Sequence, residues 1–244
     1  MRTYQKNYSQ KRHRVLNRAA REKRAQRILK TLANYYGSIS KLKNLHVLDI
    51  GCSVGYIDNY LAKFFKSFTG IDIDGKAILF AKKKFGKRKN LFFQEGDAMK
   101  LKFRNESFDV IIAMHIYEHV PDSTILFKEV YRVLKKKGVC YLAAQNKLWP
   151  IEPHYNLPFL SLLPQTIADE YVKLTKKADK YYEKPKTYWG LKKLTARFKV
   201  DDFTARVLNK PQRYGYTHPA LPNIIAELSK FFTPIFFWIL VKED

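Results

Sequence analysis

Residues 47–55 read Val-Leu-Asp-Ile-Gly-Cys-Ser-Val-Gly, or VLDIGCSVG. From His46 the chain is a short apolar run that stops at Gly51, the pattern of a buried strand. Gly51 and Gly55 then let the backbone turn sharply and admit a ligand close to the main chain. A helix is expected from Val54 to Phe68, with its end N–H groups facing that ligand. Further strands are expected at Phe68–Ile73, Asn90–Gln94, Phe108–Met114 and Gly138–Ala144. Helices are expected between them at Lys76–Phe85 and Ser123–Leu134. Strands alternating with helices at this pitch mean βαβ units and a parallel sheet. Right-handed crossovers then put helices on both faces.

The turn at 51–55 is G-x-x-x-G and departs from the dinucleotide pattern G-x-G-x-x-G. Asp49 stands two residues before Gly51, where a carboxylate repels a pyrophosphate. It suits a ligand with an ammonium group, or it organises the loop by accepting N–H bonds. That chemistry favours the amino-acid tail of S-adenosylmethionine over a nicotinamide dinucleotide. The second strand ends in Gly70–Ile71–Asp72–Ile73–Asp74. Asp72 lies about 20 residues beyond the glycine turn and is placed to accept from ribose hydroxyls. Asp74 reads as the cap of the next helix, and Ile73 as a surface for adenine. The third strand runs into Glu95–Gly96–Asp97–Ala98, where Asp97 can accept from the adenine amine. Any one of these acids could be a solvated turn or a cap. Three at the carboxyl ends of successive parallel strands form a pattern.

Outward from this centre, residues 1–40 form a basic N-terminal helical segment. Glu22 is its one acid, and Ile28, Leu29, Leu32 and Ala33 recur at helical spacing up to Gly37. Residues 41–244 form the main domain, interrupted at about 147–197 by a proline-marked insertion read as a helical cap. Helices are expected there at Gln165–Tyr182 and Tyr188–Arg197. Phe198–Leu208 and Ile235–Val241 read as strands. Net charge is +24 over 244 residues, which attracts polyanions such as RNA or an anionic membrane surface, or merely solvates the outer faces. Tyr4 and Tyr8 could fold over the site as a lid. Cys52 and Cys140 read as buried free thiols. No apolar run approaches the ~20 residues of a spanning helix, and no secretory pattern is visible, so a cytoplasmic protein is expected.

The segments VLDIGCSVG, GIDID, EGDAMKL, FDVIIAMHIYEHVPD and FKEVYRVLKKKGVCYLAAQN resemble the ordered motifs of class I S-adenosylmethionine-dependent methyltransferases, nearest the type-11/ubiquinone-biosynthesis-like group. The resemblance covers roughly residues 44–146. It implies a Rossmann-like seven-stranded, mostly parallel α/β sheet of order 3-2-1-4-5-7-6, strand 7 antiparallel. It implies that Asp49, Gly51, Ser53 and Gly55 line the methionine end of the cofactor. Asp72 and Ile73 would take ribose and adenine, Asp97 and Ala98 the adenine edge, and Met114 and His115 would close the site.

Methyl transfer from a sulfonium needs alignment and, for many acceptors, a base. After the fourth strand stands His115–Ile116–Tyr117–Glu118–His119. His115 or His119 could be that base. Glu118 and His119, with His115, could instead ligate a divalent ion, or serve only structure. The resemblance carries a Glu where His115 stands, so no metal is assigned. After the fifth strand, Pro150–Ile151–Glu152–Pro153–His154 presents a carboxylate and an imidazole on a loop stiffened by fixed φ. They read as a substrate clamp or base, or as loop anchors. The catalytic candidates are His154, His115 and Glu152. No Asn/Asp-Pro-Pro-aromatic run follows the fourth strand, as exocyclic-amine methylation of adenine would require. Neither cysteine is placed for cytosine chemistry. O- or N-methylation of a small-molecule, lipid or glycan-linked acceptor remains, with an RNA methyltransferase or a non-catalytic cofactor-binding scaffold as alternatives.

Overall fold

The structure is a computed structural model that describes residues 16–244. Helix α1 spans Arg18–Tyr36; the Asn17 side chain accepts from Ala20 N, and Gly37 ends the helix at φ 91°. Then follow β1 (His46–Ile50), α2 (Tyr56–Leu61), β2 (Ser67–Asp72), α3 (Gly75–Phe85), β3 (Leu91–Glu95), β4 (Phe108–Met114), α4 (Ser123–Val133) and β5 (Leu134–Gln145). The segment read as a cap holds a short hairpin, β6 (Ile151–Glu152) and β7 (Leu157–Pro158), with α5 (Gln165–Leu174) and α6 (Tyr188–Leu194). The chain closes with β8 (Lys199–Asp202), α7 (Thr204–Asn209), α8 (Asn223–Ser229) and β9 (Ile235–Val241).

Seven strands form one sheet in the order β3-β2-β1-β4-β5-β9-β8. The numerals depart from the expected 3-2-1-4-5-7-6 because the cap hairpin takes two of them. Strands β1 to β5 pair in parallel, and β9 runs antiparallel to both β5 and β8. Successive side chains of a strand go to opposite faces, and both faces here are covered. Val47, Val110, Ile112 and Val139 pack with α1, α2 and α3 through Ile28, Leu32, Leu61 and Ile78. Leu48, Ile50, Ile111 and Cys140 pack with α4 through Leu126, Phe127 and Val130. Truncating a side chain as buried as Leu48 to alanine costs about 2–5 kcal/mol.

Four expectations need correction. The strand expected at 198–208 ends at Asp202, because the Asp202 carboxylate accepts from Thr204 N at 2.8 Å and starts α7. The helix expected over 54–68 is only Tyr56–Leu61, since β2 has begun by Ser67. The cap helices are shorter than expected: α5 stops at Leu174 and α6 at Leu194. The fifth strand starts earlier, at Leu134, directly against the end of α4. Cys52 and Cys140 are free and buried. Among the described residues no helix is long and apolar enough to cross a membrane. Tyr4, Tyr8 and the first basic residues lie outside the described part.

The cap is pinned to the sheet at both ends. Tyr117, fully buried after β4, donates its hydroxyl to Gln145 O at 2.7 Å and accepts from Lys186 N at 2.8 Å. Asn146 pairs with Lys186 across an isolated bridge. Lys184 N donates to Glu118 O at 2.9 Å. Between these anchors the cap has its own small core of Tyr155, Leu157, Leu160, Ala168, Val172 and Tyr181.

Candidate active site

The carboxyl ends of β1, β2 and β3 bring Asp49, Asp72 and Asp97 to one rim of the sheet. The turn between β1 and α2 is left-handed at Gly51 (φ 87°), Ser53 (φ 53°) and Gly55 (φ 76°). Gly55 is irreplaceable on two counts: a Cβ there would also sit 2.7 Å from Phe93 Cζ. Four N–H groups of the turn bond within the protein. Gly51 N and Cys52 N both donate to Ile71 O, Gly55 N donates to Cys52 O, and Ser53 N donates to Asp72 Oδ2 at 2.8 Å. These donors are spent on the protein, so the turn has none of them to offer a pyrophosphate.

What the rim offers is acceptors. Asp72 holds Ser53 N and, through Oδ1, Asp74 N at 2.9 Å. Each carboxylate oxygen keeps a second lone pair for a hydroxyl. Burial pushes the Asp72 carboxyl up, against the pull of these backbone bonds. Ile73 next to it is exposed. Asp97 Oδ1 accepts from Met99 N at 2.7 Å, and Ala98 beside it is buried. Asp74 caps α3 as expected, accepting from Lys76 N and Ala77 N.

Asp49 is buried, and burial pushes its carboxyl up to about 7. Its neighbour is the carboxyl of Asp58, in the first turn of α2, whose pKa burial and the Asp49 charge push far above the usual range. Burial thus favours the protonated form of both acids. Asp58 was not singled out from the sequence: an Asp in a first helical turn reads as dipole complement. The signal was Gly70, paired in register with Asp49, where a side chain would collide with the Asp58 carboxylate. A buried acid pair that can lose a proton to a cation, two more acids along the rim and an exposed Ile73 fit a cationic nucleoside and disfavour a dinucleotide.

The second half of the site lies beyond the ends of β4 and β5. Half-buried Met114 ends β4, and His115 turns the chain at φ 53°. Glu152 is fully buried and organises the cap loop. Its Oε2 accepts from His154 N at 2.7 Å and Tyr155 N at 2.8 Å, and its Oε1 accepts from Gln145 Nε2 at 3.0 Å. The same Oε1 holds His154 Nδ1 at 2.8 Å. Burial alone would lower the His154 pKa. The hydrogen bond and charge of Glu152, with the charges of Glu183 and Glu118, outweigh it and raise it. Burial likewise opposes ionisation of Glu152, but His154 and the loop N–H groups hold its carboxyl below the usual value.

The structure brings His119 against this pair: the His119 and His154 rings meet edge to face at 4.8 Å. Burial pushes the His119 imidazole down to about 4. Glu118, fully buried, lies 3.5 Å from His115 Nδ1. Burial works against its ionisation, but His115 and His119 bring its pKa below the usual range. Glu183, on the cap's returning strand of chain, adds a third buried carboxylate 3.6 Å from His119 Nδ1. Its pKa is raised, chiefly by burial. In the sequence Glu183 sits in a lysine-rich stretch with no periodicity, and nothing there marks it. Glu118, His119 and His154 offer three ligand atoms within 4.8 Å of one another. This is a different set from the His115–Glu118–His119 run considered from the sequence.

Fold and rim together resemble those of class I S-adenosylmethionine-dependent methyltransferases. More particularly, residues 48–142 match the family model described as a methyltransferase domain, of the type-11 group. The chain is 38% identical over 109 residues to a ubiquinone biosynthesis O-methyltransferase of Pelagibacter ubique, covering 43% of this chain and 44% of that protein. It is 33% identical over 127 residues to a demethylmenaquinone methyltransferase of Staphylococcus aureus, covering 50% of this chain and 53% of that one. The chain thus spans about half the length of these curated relatives. A solved S-adenosylmethionine-dependent methyltransferase from Methanosarcina mazei superposes with TM-score 0.55 at 22% identity, over 82% of this chain and 93% of that one, a likeness of fold.

Proposed function

We propose that this chain is an enzyme that moves the methyl group of S-adenosylmethionine to an oxygen of a small-molecule acceptor, with His154 as the base and Glu152 as its orienting partner. The observation that carries the reading is the fully buried Glu152 carboxylate, held by two backbone N–H groups and Gln145, with His154 Nδ1 at 2.8 Å. A carboxylate so fixed sets the tautomer and tilt of the imidazole, and proton exchange falls to Nε2. The cofactor, when bound, supplies an already activated methyl carbon on a cationic sulfur.

The chain's own residues do the rest. Asp49 and Asp58 take the ammonium end of the ligand at the β1 turn. Asp72 takes the ribose hydroxyls and Asp97 the adenine edge, with Ile73 and Ala98 as apolar surface. Met114 and His115 close the rim between cofactor and acceptor. His154 takes the acceptor's hydroxyl proton as the oxygen attacks in line. The buried Glu152 charge then stabilises the imidazolium. The two quinone-pathway relatives support a ring hydroxyl or a similar acidic oxygen as the acceptor atom.

The test is a pair of variants. His154→Ala should lower turnover by about 10²–10⁴-fold, the usual yield of a positioned base, and leave S-adenosylhomocysteine affinity unchanged. Glu152→Gln should lower turnover and keep that affinity. Unchanged turnover in His154→Ala removes the base assignment. A second reading rests on the Glu118–His119–His154 cluster: two imidazoles and a carboxylate are a donor set for a divalent transition-metal ion. Chelator treatment separates the two. Turnover that survives chelation supports the base, and turnover lost to chelation and restored by an added divalent ion supports the metal.

A further inference from the structure

Helix α8 (Asn223–Ser229) rests on the molecule by one small residue, Ala226, which is buried against α7. Its outer side carries Ile224 and Leu228, four residues apart and therefore on one face, and Phe232 follows in the 3-10 turn Lys230–Phe232. They are 77%, 65% and 61% exposed. Trp189 extends the same ridge. Its indole is 58% exposed and stacks on Phe231 at 5.4 Å and 2°. Large apolar side chains exposed singly are ordinary. Four in one ridge, with a tryptophan at its edge, mark a docking surface.

The borders of this ridge are basic. On one side α7, α8 and the end of α1 enclose a cleft of about 290 Å³ lined by Arg206, Lys210, Arg213, Asn34 and Asn209. The one carboxylate in it, Glu227, is paired with Lys230 at 2.6 Å. On the other side Lys192 and Lys193, exposed on α6, follow Trp189 at helical spacing. The chain as a whole carries +24. A second copy would bring two such basic borders together, which charge opposes. An anionic lipid surface satisfies both parts at once: headgroups for the cations, the acyl boundary for the ridge.

We propose that the ridge of Ile224, Leu228, Phe232 and Trp189, with the basic cleft of Lys210 and Arg213, is the face by which the protein sits on an anionic bilayer. The position is not incidental to the site. Asn146 Nδ2 donates to Phe231 O and Thr233 O, both at 2.9 Å. Asn146 also begins the cap loop that carries Glu152 and His154. A bilayer under the ridge would therefore be tied through Asn146 to the loop of Glu152 and His154, toward a lipid-borne acceptor. That last consequence rests on the methyl-transfer reading; the docking itself does not.

The experiment is co-sedimentation of the full chain with vesicles of phosphatidylcholine alone and of phosphatidylcholine mixed with phosphatidylglycerol. The expected result is binding to the mixed vesicles, weakened by added salt and weak on phosphatidylcholine alone. Ile224→Ser with Leu228→Ser should weaken it at least about tenfold. Lys210→Ser with Arg213→Ser should lower the phosphatidylglycerol dependence. Ile224, Leu228, Lys210 and Arg213 are all exposed. Each variant should therefore keep a melting temperature near the parent's and its shift with S-adenosylhomocysteine. Full binding by the Ile224/Leu228 variant would assign the contact to the basic N-terminal segment and overturn the proposal. So would equal binding to both vesicle types, or a dimer in solution that this variant abolishes. Vesicle binding is read without turnover, so its failure is distinct from failure of the catalytic reading.

Discussion

Replacing Asp58 by asparagine removes one of the two buried acids that meet between β1 and α2. The groups facing Asp49 are Asp58 on α2, Asp72 at the end of β2 and Arg21 on α1, with the Cys52 thiol against the same acids. Burial holds Asp49 up to about 7 and Asp58 far above 3.8. In the unfolded chain both acids lose their protons near pH 4. Between about pH 4 and about pH 7 the native state therefore binds protons that the unfolded state has released, and stability falls as pH rises through that window. Each such proton is worth about 1.36 kcal/mol per pH unit. Asp58→Asn keeps the side chain's shape and removes one titrating site. From about pH 5 to about pH 7 the parent should lose about 2–3 kcal/mol more than the variant. For a chain of this size that is roughly 5–10 °C in melting temperature. Thermal unfolding followed by circular dichroism at the two pH values reads the difference directly. Parallel melting curves for parent and variant across the window would refute a protonated Asp58 in the native state, whatever the absolute stabilities.

S-adenosylhomocysteine should raise the parent's melting temperature, and Asp72→Ala should remove most of that shift; a shift of the same size in the variant would take Asp72 out of the cofactor site. Gly55→Ala should destabilise the protein by about 2 kcal/mol or more, from a left-handed φ of 76° and a Cβ 2.7 Å from the Phe93 ring; denaturant midpoints within error of the parent's would show that the turn relaxes.

The sheet was legible because its strands are apolar runs cut by glycine, and because Asp74 and Asp122 stand where helices begin. Both accept from the N–H groups two and three residues on, as caps do. The segment 198–208 misled because Phe203 and Val207 are buried in the same core as β9. Their spacing of four is helical, but Phe198–Val200 before them and the polar Asp201–Asp202 between blur the period. The acid rim was legible as residue types at strand ends, since the βαβ repeat alone brings 49, 72 and 97 together. The acid pair of Asp49 and Asp58 and the place of Glu183 were not. Each depends on a contact between segments whose approach is set by tertiary packing: Gly70 opening room for a carboxylate, and Lys184 N reaching Glu118 O at 2.9 Å. Glu152 and His154 stood out through their flanking prolines, whereas their meeting with His119 came only with the folded cap.

Tyr117 holds the departure of the cap at Gln145 and its return at Lys186 with a single hydroxyl. Whatever lies between those residues is hung from a closed clasp rather than threaded through the sheet. A different loop of any length could be grafted between the same two attachment points without retuning the rim of acids. The acid rim and the inserted segment are in this way separately built parts of one chain.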